Sequence, residues 1–151
     1  MKVAVAVDHA GFPLKGVALD VSNGLGHETT DLGTYSTDPV DYPDTAQAAA
    51  EAILDGRAER ALIVCGSGAG VAVAANKFDG IRAAVCHDTY TAHQCVEHDD
   101  VNVLCLGGRV VGSALAEDII AAFLNAEFSG EDRHRRRLEK IRAIELRGKT
   151  T

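Results

Sequence analysis

The stretch Ala61-Leu62-Ile63-Val64-Cys65-Gly66-Ser67-Gly68-Ala69-Gly70 holds an apolar run, then a thiol, then three glycines and a hydroxyl within five positions. The run reads as a short buried strand, and the glycines as a turn that enters a helix over 71–76. Such a turn aims several backbone N–H groups at one point beside a helix N-terminus, where an anion is stabilised. The same surroundings favour the thiolate form of a cysteine. One loop thus offers a base and a cradle for developing negative charge.

Other glycine-loop chemistries fit less well. A dinucleotide fingerprint needs G-x-G-x-x-G after the first strand and an acid about 20 residues on. Gly66, Gly68 and Asp88 match, but the third glycine falls on Val71 and the unit is the third along the chain. No Gly-Lys-Ser/Thr follows, so a Walker loop is absent. By itself the loop indicates a bound phosphate or carboxylate, or a purely structural turn.

A second dense stretch is His87-Asp88-Thr89-Tyr90-Thr91-Ala92-His93-Gln94-Cys95-Val96-Glu97-His98-Asp99-Asp100. His93 and His98 are five apart and do not share a helix face as an i, i+4 metal pair would. The spacing therefore argues against a metal site. His98 ends a helix just before the fifth strand, which places it at the sheet's carboxyl edge or across a subunit boundary.

These residues need elements to position them. Apolar strand candidates are Val3–Val7, Glu28–Leu32, Ala61–Cys65, Arg82–Cys86 and Asn102–Leu106. Helical candidates are Leu14–Asn23, Thr45–Leu54, Val71–Asn76, Thr89–Glu97 and Ala114–Ala126, with a last basic helix near Arg133–Arg147. The first, third, fourth and fifth strands are nearly all apolar, as strands covered on both faces are. The alternation predicts a three-layer, Rossmann-like α/β fold, with a five-stranded parallel sheet, helices on both faces and a C-terminal helical arm. Ligands gather at the carboxyl ends of such strands. Those ends carry Asp8-His9, Cys65-Gly66-Ser67, His87-Asp88 and Gly107-Gly108-Arg109.

Length and charge bound the function. At 151 residues and 46% hydrophobic, the chain suits one domain over 1–151 with a sizeable core. No apolar run approaches the roughly 20 residues that span a bilayer. The N-terminus runs straight into Asp8 and His9, so it reads as a strand and not a secretion signal. Four cysteines without a C-x-x-C pair fit a reduced compartment, and a cytoplasmic location is expected. The net charge is −7, but residues 133–151 alone are near +6, leaving an acidic body that disfavours nucleic acid. The cluster Arg133-His134-Arg135-Arg136-Arg137 suits one small phosphate, an acidic partner surface, or a solvated face. The last helix has only a narrow stripe of Leu138, Ile141, Ile144 and Leu146. It gains little by packing on its own body and reads as an arm reaching a second subunit, with a solvated tail as the alternative.

Several blocks together resemble one family. Asp8-His9-Ala10-Gly11-Phe12-Pro13-Leu14-Lys15, Asp41-Tyr42-Pro43-Asp44, Cys65-Gly66-Ser67-Gly68-x-Gly70, Ala74-Ala75-Asn76-Lys77, the segment 98–112 and Arg133-His134-x-x-Arg137 resemble the type B ribose-5-phosphate isomerases. The related galactose-6-phosphate isomerase subunits share most of these blocks. The resemblance implies aldose–ketose isomerisation of a sugar phosphate, without metal or cofactor, in a homodimer with two sites at the subunit interface. Pairing of dimers into tetramers is left open.

By that resemblance Cys65 is the catalytic base. Ser67 and the N–H groups of Gly66, Gly68, Ala69 and Gly70 hold the enediolate oxygens, and His98 opens the sugar ring. Asp8 holds hydroxyls, while His9, Arg133 and Arg137 hold the phosphate with help from Arg109. Relatives without the cysteine use a glutamate further along the loop, where this chain has apolar Val71–Val73. Many relatives have asparagine where this chain has Asp99, which is expected to contact substrate as an acceptor only. Ribose 5-phosphate is the leading substrate. Allose, galactose and tetrose phosphates remain open, because one carbon is discriminated by only about 1–3 kcal/mol. A non-catalytic nucleotide-binding module is the rival reading, and it needs neither the thiol nor the arginine pair.

Overall fold

The computed structural model describes residues 1–147. Five parallel strands alternate with helices: β1 (Lys2–Val7), α1 (Lys15–Gly24), β2 (Glu28–Asp31), α2 (Tyr42–Leu54), β3 (Arg60–Cys65), α3 (Ala69–Ala75), β4 (Ala83–Val85), α4 (Thr89–Asp99), β5 (Val103–Gly107), α5 (Ser113–Asn125) and α6 (Asp132–Leu146). A 3-10 turn over Phe12–Leu14, with Pro13 inside it, leads into α1. The strand order is β2-β1-β3-β5-β4. Registers such as Val5↔Leu62 and Leu62↔Leu104 stack the apolar runs of the three central strands side by side.

Two apolar layers cover the sheet. One joins Val3, Val5, Leu62, Val64, Leu104 and Leu106 to α1, α4 and α5, with Phe123 fully buried. The other joins Ala4, Ala6, Ile63 and Cys105 to α2 and α3. Ala46, Ala49 and Ala50 form the buried face of α2, where small side chains let the helix lie close to the strands. Burying each large aliphatic chain contributes about 1.5–3 kcal/mol. The strand expectation fails in one place. β4 is three residues long and Val85 is exposed, because it is the edge strand and has a strand neighbour on one side only.

The strand order reverses between β1 and β3. The chain leaves β1 towards α1 on one face and leaves β3 towards α3 on the other. Divergence of the two exits opens a crevice at the carboxyl ends, which is where open α/β sheets bind ligands. Among the described residues no helix is long and apolar enough to cross a membrane.

Candidate active site

Cys65 is the last residue of β3 and is buried, yet it lines a cleft at that crevice. The cleft has a volume of about 560 Å³ and is lined by Asp8, His9, Cys65, Gly66, Ser67, Gly70 and Arg109, with Ala10, Tyr42 and Val110. Gly68 takes the left-handed conformation (φ 81°) that caps α3, so the helix starts at Ala69, two residues before the expected position. Part of the N–H array is engaged within the loop itself. Gly68 N–H donates to Cys65 Sγ at 3.0 Å, and Ala69 N–H donates to Ser67 Oγ at 3.3 Å. The sulfur is therefore held by a backbone donor, and the serine hydroxyl is oriented as it accepts.

Neighbouring loops are tied down in the same manner. Asp8 Oδ1 accepts from the N–H groups of Ala10 and Gly11, both at 2.9 Å. Val40 N–H donates to His9 Nδ1 at 3.2 Å, so in the neutral ring Nε2 carries the proton and is the donor. Gly108 N–H reaches Cys65 O at 2.7 Å, and Arg109 N–H reaches Gly66 O at 3.1 Å, which hangs the arginine loop on the thiol loop. Gly107 N–H donates to His87 Nε2 at 3.0 Å, giving the histidine after β4 a structural task. A Cβ on Gly11 would stand 2.0 Å from Val64 O, so only glycine lets the two loops approach this closely. Arg109 forms no ion pair among the described residues, and its exposed guanidinium adds positive charge to the cleft.

Tyr42 is the residue that sequence reasoning left without a role. Its ring packs on Gly70, where a Cβ would meet Tyr42 Cε2 at 2.9 Å. The only signal was its position in Asp41-Tyr42-Pro43-Asp44, at the first turn of a helix.

The remaining expected site residues lie elsewhere. Because α4 runs antiparallel to the strands, His98 and Asp99 sit at the amino edge of the sheet, about one helix length or 16 Å from where α4 begins. Arg82 binds Asp100 there at 2.6 Å, at the start of β4. The placement of His98 at the carboxyl edge is thus corrected: a residue that precedes a parallel strand is at its amino end. His98 rests against His134 with ring centroids 4.2 Å apart, and Gln94 Nε2 lies 2.8 Å from its Nδ1. Arg133 Nε donates to Glu131 at 2.7 Å, and exposed Arg137 follows one helical turn along. Burial holds His134 below the usual histidine range, with the nearby His98, Arg133 and Arg137 acting in the same direction and Glu131 opposing them. Asp99 borders a groove with Ile141 and Ile144. Within one copy, Cys65, Ser67, Asp8, His9 and Arg109 converge, whereas His98, Asp99, Arg133 and Arg137 form a separate patch.

A thiol held beside a backbone donor, with the Arg109 cation in the same cleft at the switch point of a parallel sheet, is suited to taking a proton from a substrate that carries an anionic group. Comparison with known proteins gives the class. The family model described as Ribose/Galactose Isomerase matches residues 3–141, and the chain belongs to that family. It is 44% identical over 146 residues to ribose-5-phosphate isomerase B of Escherichia coli (strain K12), covering 97% of each chain. It is 42% identical over 134 residues to D-erythrulose-4-phosphate isomerase of Pectobacterium atrosepticum, covering 86% of each. The solved ribose-5-phosphate isomerase B of Clostridium thermocellum superposes with a TM-score of 0.94 at 45% identity, over 98% of this chain and 99% of that one. The protein is a sugar-phosphate aldose–ketose isomerase.

Proposed function

We propose that the enzyme interconverts ribose 5-phosphate and ribulose 5-phosphate through an enediolate, with Cys65 as the base. The observation that carries this reading is Cys65 in the lining of the cleft with Ser67 and Arg109, its sulfur 3.0 Å from a backbone donor. The thiolate takes the proton from C2 of the open-chain aldose, and the electron pair passes to O1. O2 then gives its proton to O1, and the thiol returns its proton to C1. Ser67 and the loop N–H groups hold the oxygens as charge develops, a role in which one donor contributes about 3–4 kcal/mol. Asp8 accepts from sugar hydroxyls, and His9 and Arg109 hold phosphate oxygens.

Within one copy His98, read as the ring-opening acid, lies at the opposite edge of the sheet from this cleft. A second copy that brings its own His98, Asp99, Arg133 and Arg137 to the cleft completes the machinery, so the working unit is a homodimer. The exposed apolar positions Ile141, Ile144 and Leu146 of α6 suit such an arm. His98 of the second copy protonates the ring oxygen, and its two arginines, at i and i+4, grip one phosphate dianion.

A four-carbon substrate is the second reading, favoured by the 42% identity to a D-erythrulose-4-phosphate isomerase. The two differ chemically. An aldotetrose 4-phosphate has its O4 blocked by phosphate and cannot close a five-membered ring, so it has no ring for His98 to open. Comparing kcat/KM for ribose 5-phosphate and erythrose 4-phosphate tests the assignment, and a higher value for the tetrose replaces the pentose reading. Turnover is expected to persist in EDTA; loss restored by a divalent metal ion would overturn the metal-free mechanism.

A further inference from the structure

His134 is the one buried residue of α6, at 1% exposure, on a helix whose other residues are partly or fully exposed. Its Nδ1 lies 2.7 Å from Ser129 Oγ, and Ser129 N–H donates to Glu97 O at 3.0 Å. The connection before α6 is therefore fastened to the end of α4, one residue from His98. His134 Nε2 has no hydrogen-bond partner among the described residues. A buried polar atom left unpaired is a cost that phenylalanine or leucine would avoid at this place. What histidine offers instead is a thin planar ring, fixed at one nitrogen, with its face against His98 at 4.2 Å and a tilt of 31°.

We infer that His134 is a positioning residue for the ring-opening acid, its buried ring being the platform that sets the plane of the His98 imidazole. The inference rests on the reading of His98 as that acid. An imidazole delivering a proton to a ring oxygen must be fixed in two ways, in the plane of its ring and in its rotation within that plane. Contact with His134 supplies the first. Gln94 supplies the second, presenting its NH2 to a neutral Nδ1 or, with the amide turned end for end, its oxygen to an Nδ1–H. The outer end of His98 stays open, with 30% of the side chain exposed.

Glu97 on α4 lies 3.9 Å from His98 Nε2, whereas Arg133 and Arg137 on α6 and Glu131 before it act on His134. Burial disfavours the charged form of His134, with those arginines and His98 acting in the same direction and Glu131 opposing them.

The chemistry of the two substrates isolates this role. Ribose 5-phosphate is a closed ring and needs the acid; ribulose 5-phosphate is open-chain and enters the enediolate directly. The experiment compares kcat and KM for ribose 5-phosphate with deuterium incorporation at C1 of ribulose 5-phosphate in heavy water. His134→Leu is expected to lower kcat for the aldose about tenfold, while KM and the rate of deuterium incorporation stay within about twofold. His134→Phe, which restores a ring face, recovers most of the loss. If His134 only anchors α6, then KM rises in both measurements because Arg133 and Arg137 move, and the inference is overturned. It is equally overturned if His134→Leu leaves aldose turnover unchanged. Should His134→Leu not fold, Ser129→Ala carries the same test, with an expected fall of about threefold in aldose kcat alone; a uniform change or none refutes the role. His98→Asn separates the two levels. Loss of aldose turnover with deuterium incorporation retained supports His98 as the acid, whereas no such split removes that reading itself.

Discussion

Around Cys65 the polar contacts run to the main chain: Gly68 N–H to the sulfur, Ala10 and Gly11 N–H to Asp8, Val40 N–H to His9. Around His98 they run between side chains, with Gln94, His134, Ser129, Glu131 and Arg133 holding one another. The first region is a rigid cradle whose shape depends on glycines and close loop approach. The second is a charged, partly exposed patch carried on two helices. A cradle suits the step in which charge develops on atoms held still, because preorganised donors need no rearrangement as the reaction proceeds. A side-chain patch suits the capture of a mobile dianion and the passing of a proton. The chain thus carries two unlike polar regions at opposite edges of one sheet.

Pairing variants from the two regions is the strongest way to break that contrast. Cys65→Ala and His98→Asn are each expected to lose about a thousandfold in ribose 5-phosphate turnover. When the two are unfolded and refolded together, symmetric pairing makes half the dimers mixed, each with one intact site, so about one quarter of wild-type activity returns. No recovery in the mixture would show that each copy works alone.

The cradle should also be the more brittle region. Gly11→Ala drives a methyl towards Val64 O, and a loss of about 3 kcal/mol is expected in chemical denaturation. A loss within about 0.5 kcal/mol, typical of surface substitutions, would mean that the loops yield easily. In the patch, Arg137→Ala is expected to raise KM about tenfold with kcat within twofold, since it removes ground-state and transition-state binding alike. An unchanged KM would remove α6 from phosphate binding.

The smallest effect concerns pH. Burial lowers His134 and also His27, below their ordinary value of 6.5. The unfolded chain then binds more protons than the folded one in the window just below pH 6.5. Stability is therefore full above that value and declines as pH falls towards the depressed folded values. Thermal unfolding from pH 8 to pH 5 should show Tm falling through this window, with a shallower fall in His27→Asn. Identical slopes would show that His27 contributes nothing.

Much of the architecture was legible along the chain. The apolar runs at β1, β3 and β5 and the glycines after Cys65 announced their elements within one or two residues, since burial on both faces and left-handed turns leave strong local signals. β4 was overestimated because Arg82–Cys86 has strand composition, while length is decided by what covers an edge. The early start of α3 was hidden, because only the backbone shows that Gly68 alone turns the chain. Tyr42 and His134 stood in quoted motifs but carried no assigned role, because the contacts each makes are with residues distant in sequence.

Order and residue type were sufficient for the parallel α/β sheet, for the thiol at a strand end and for the family. Those properties follow from periodicity and from motifs whose parts are neighbours in sequence. Strand order along the chain already gathered Asp8, His9, Cys65, Ser67 and Arg109 at one edge, but the place of His98 was decided by tertiary structure. Helices between parallel strands run backwards, so the histidine that chemistry would pair with Cys65 is delivered to the far edge of the same sheet. A helix-long separation cannot be closed within one copy, and no local pattern encodes it.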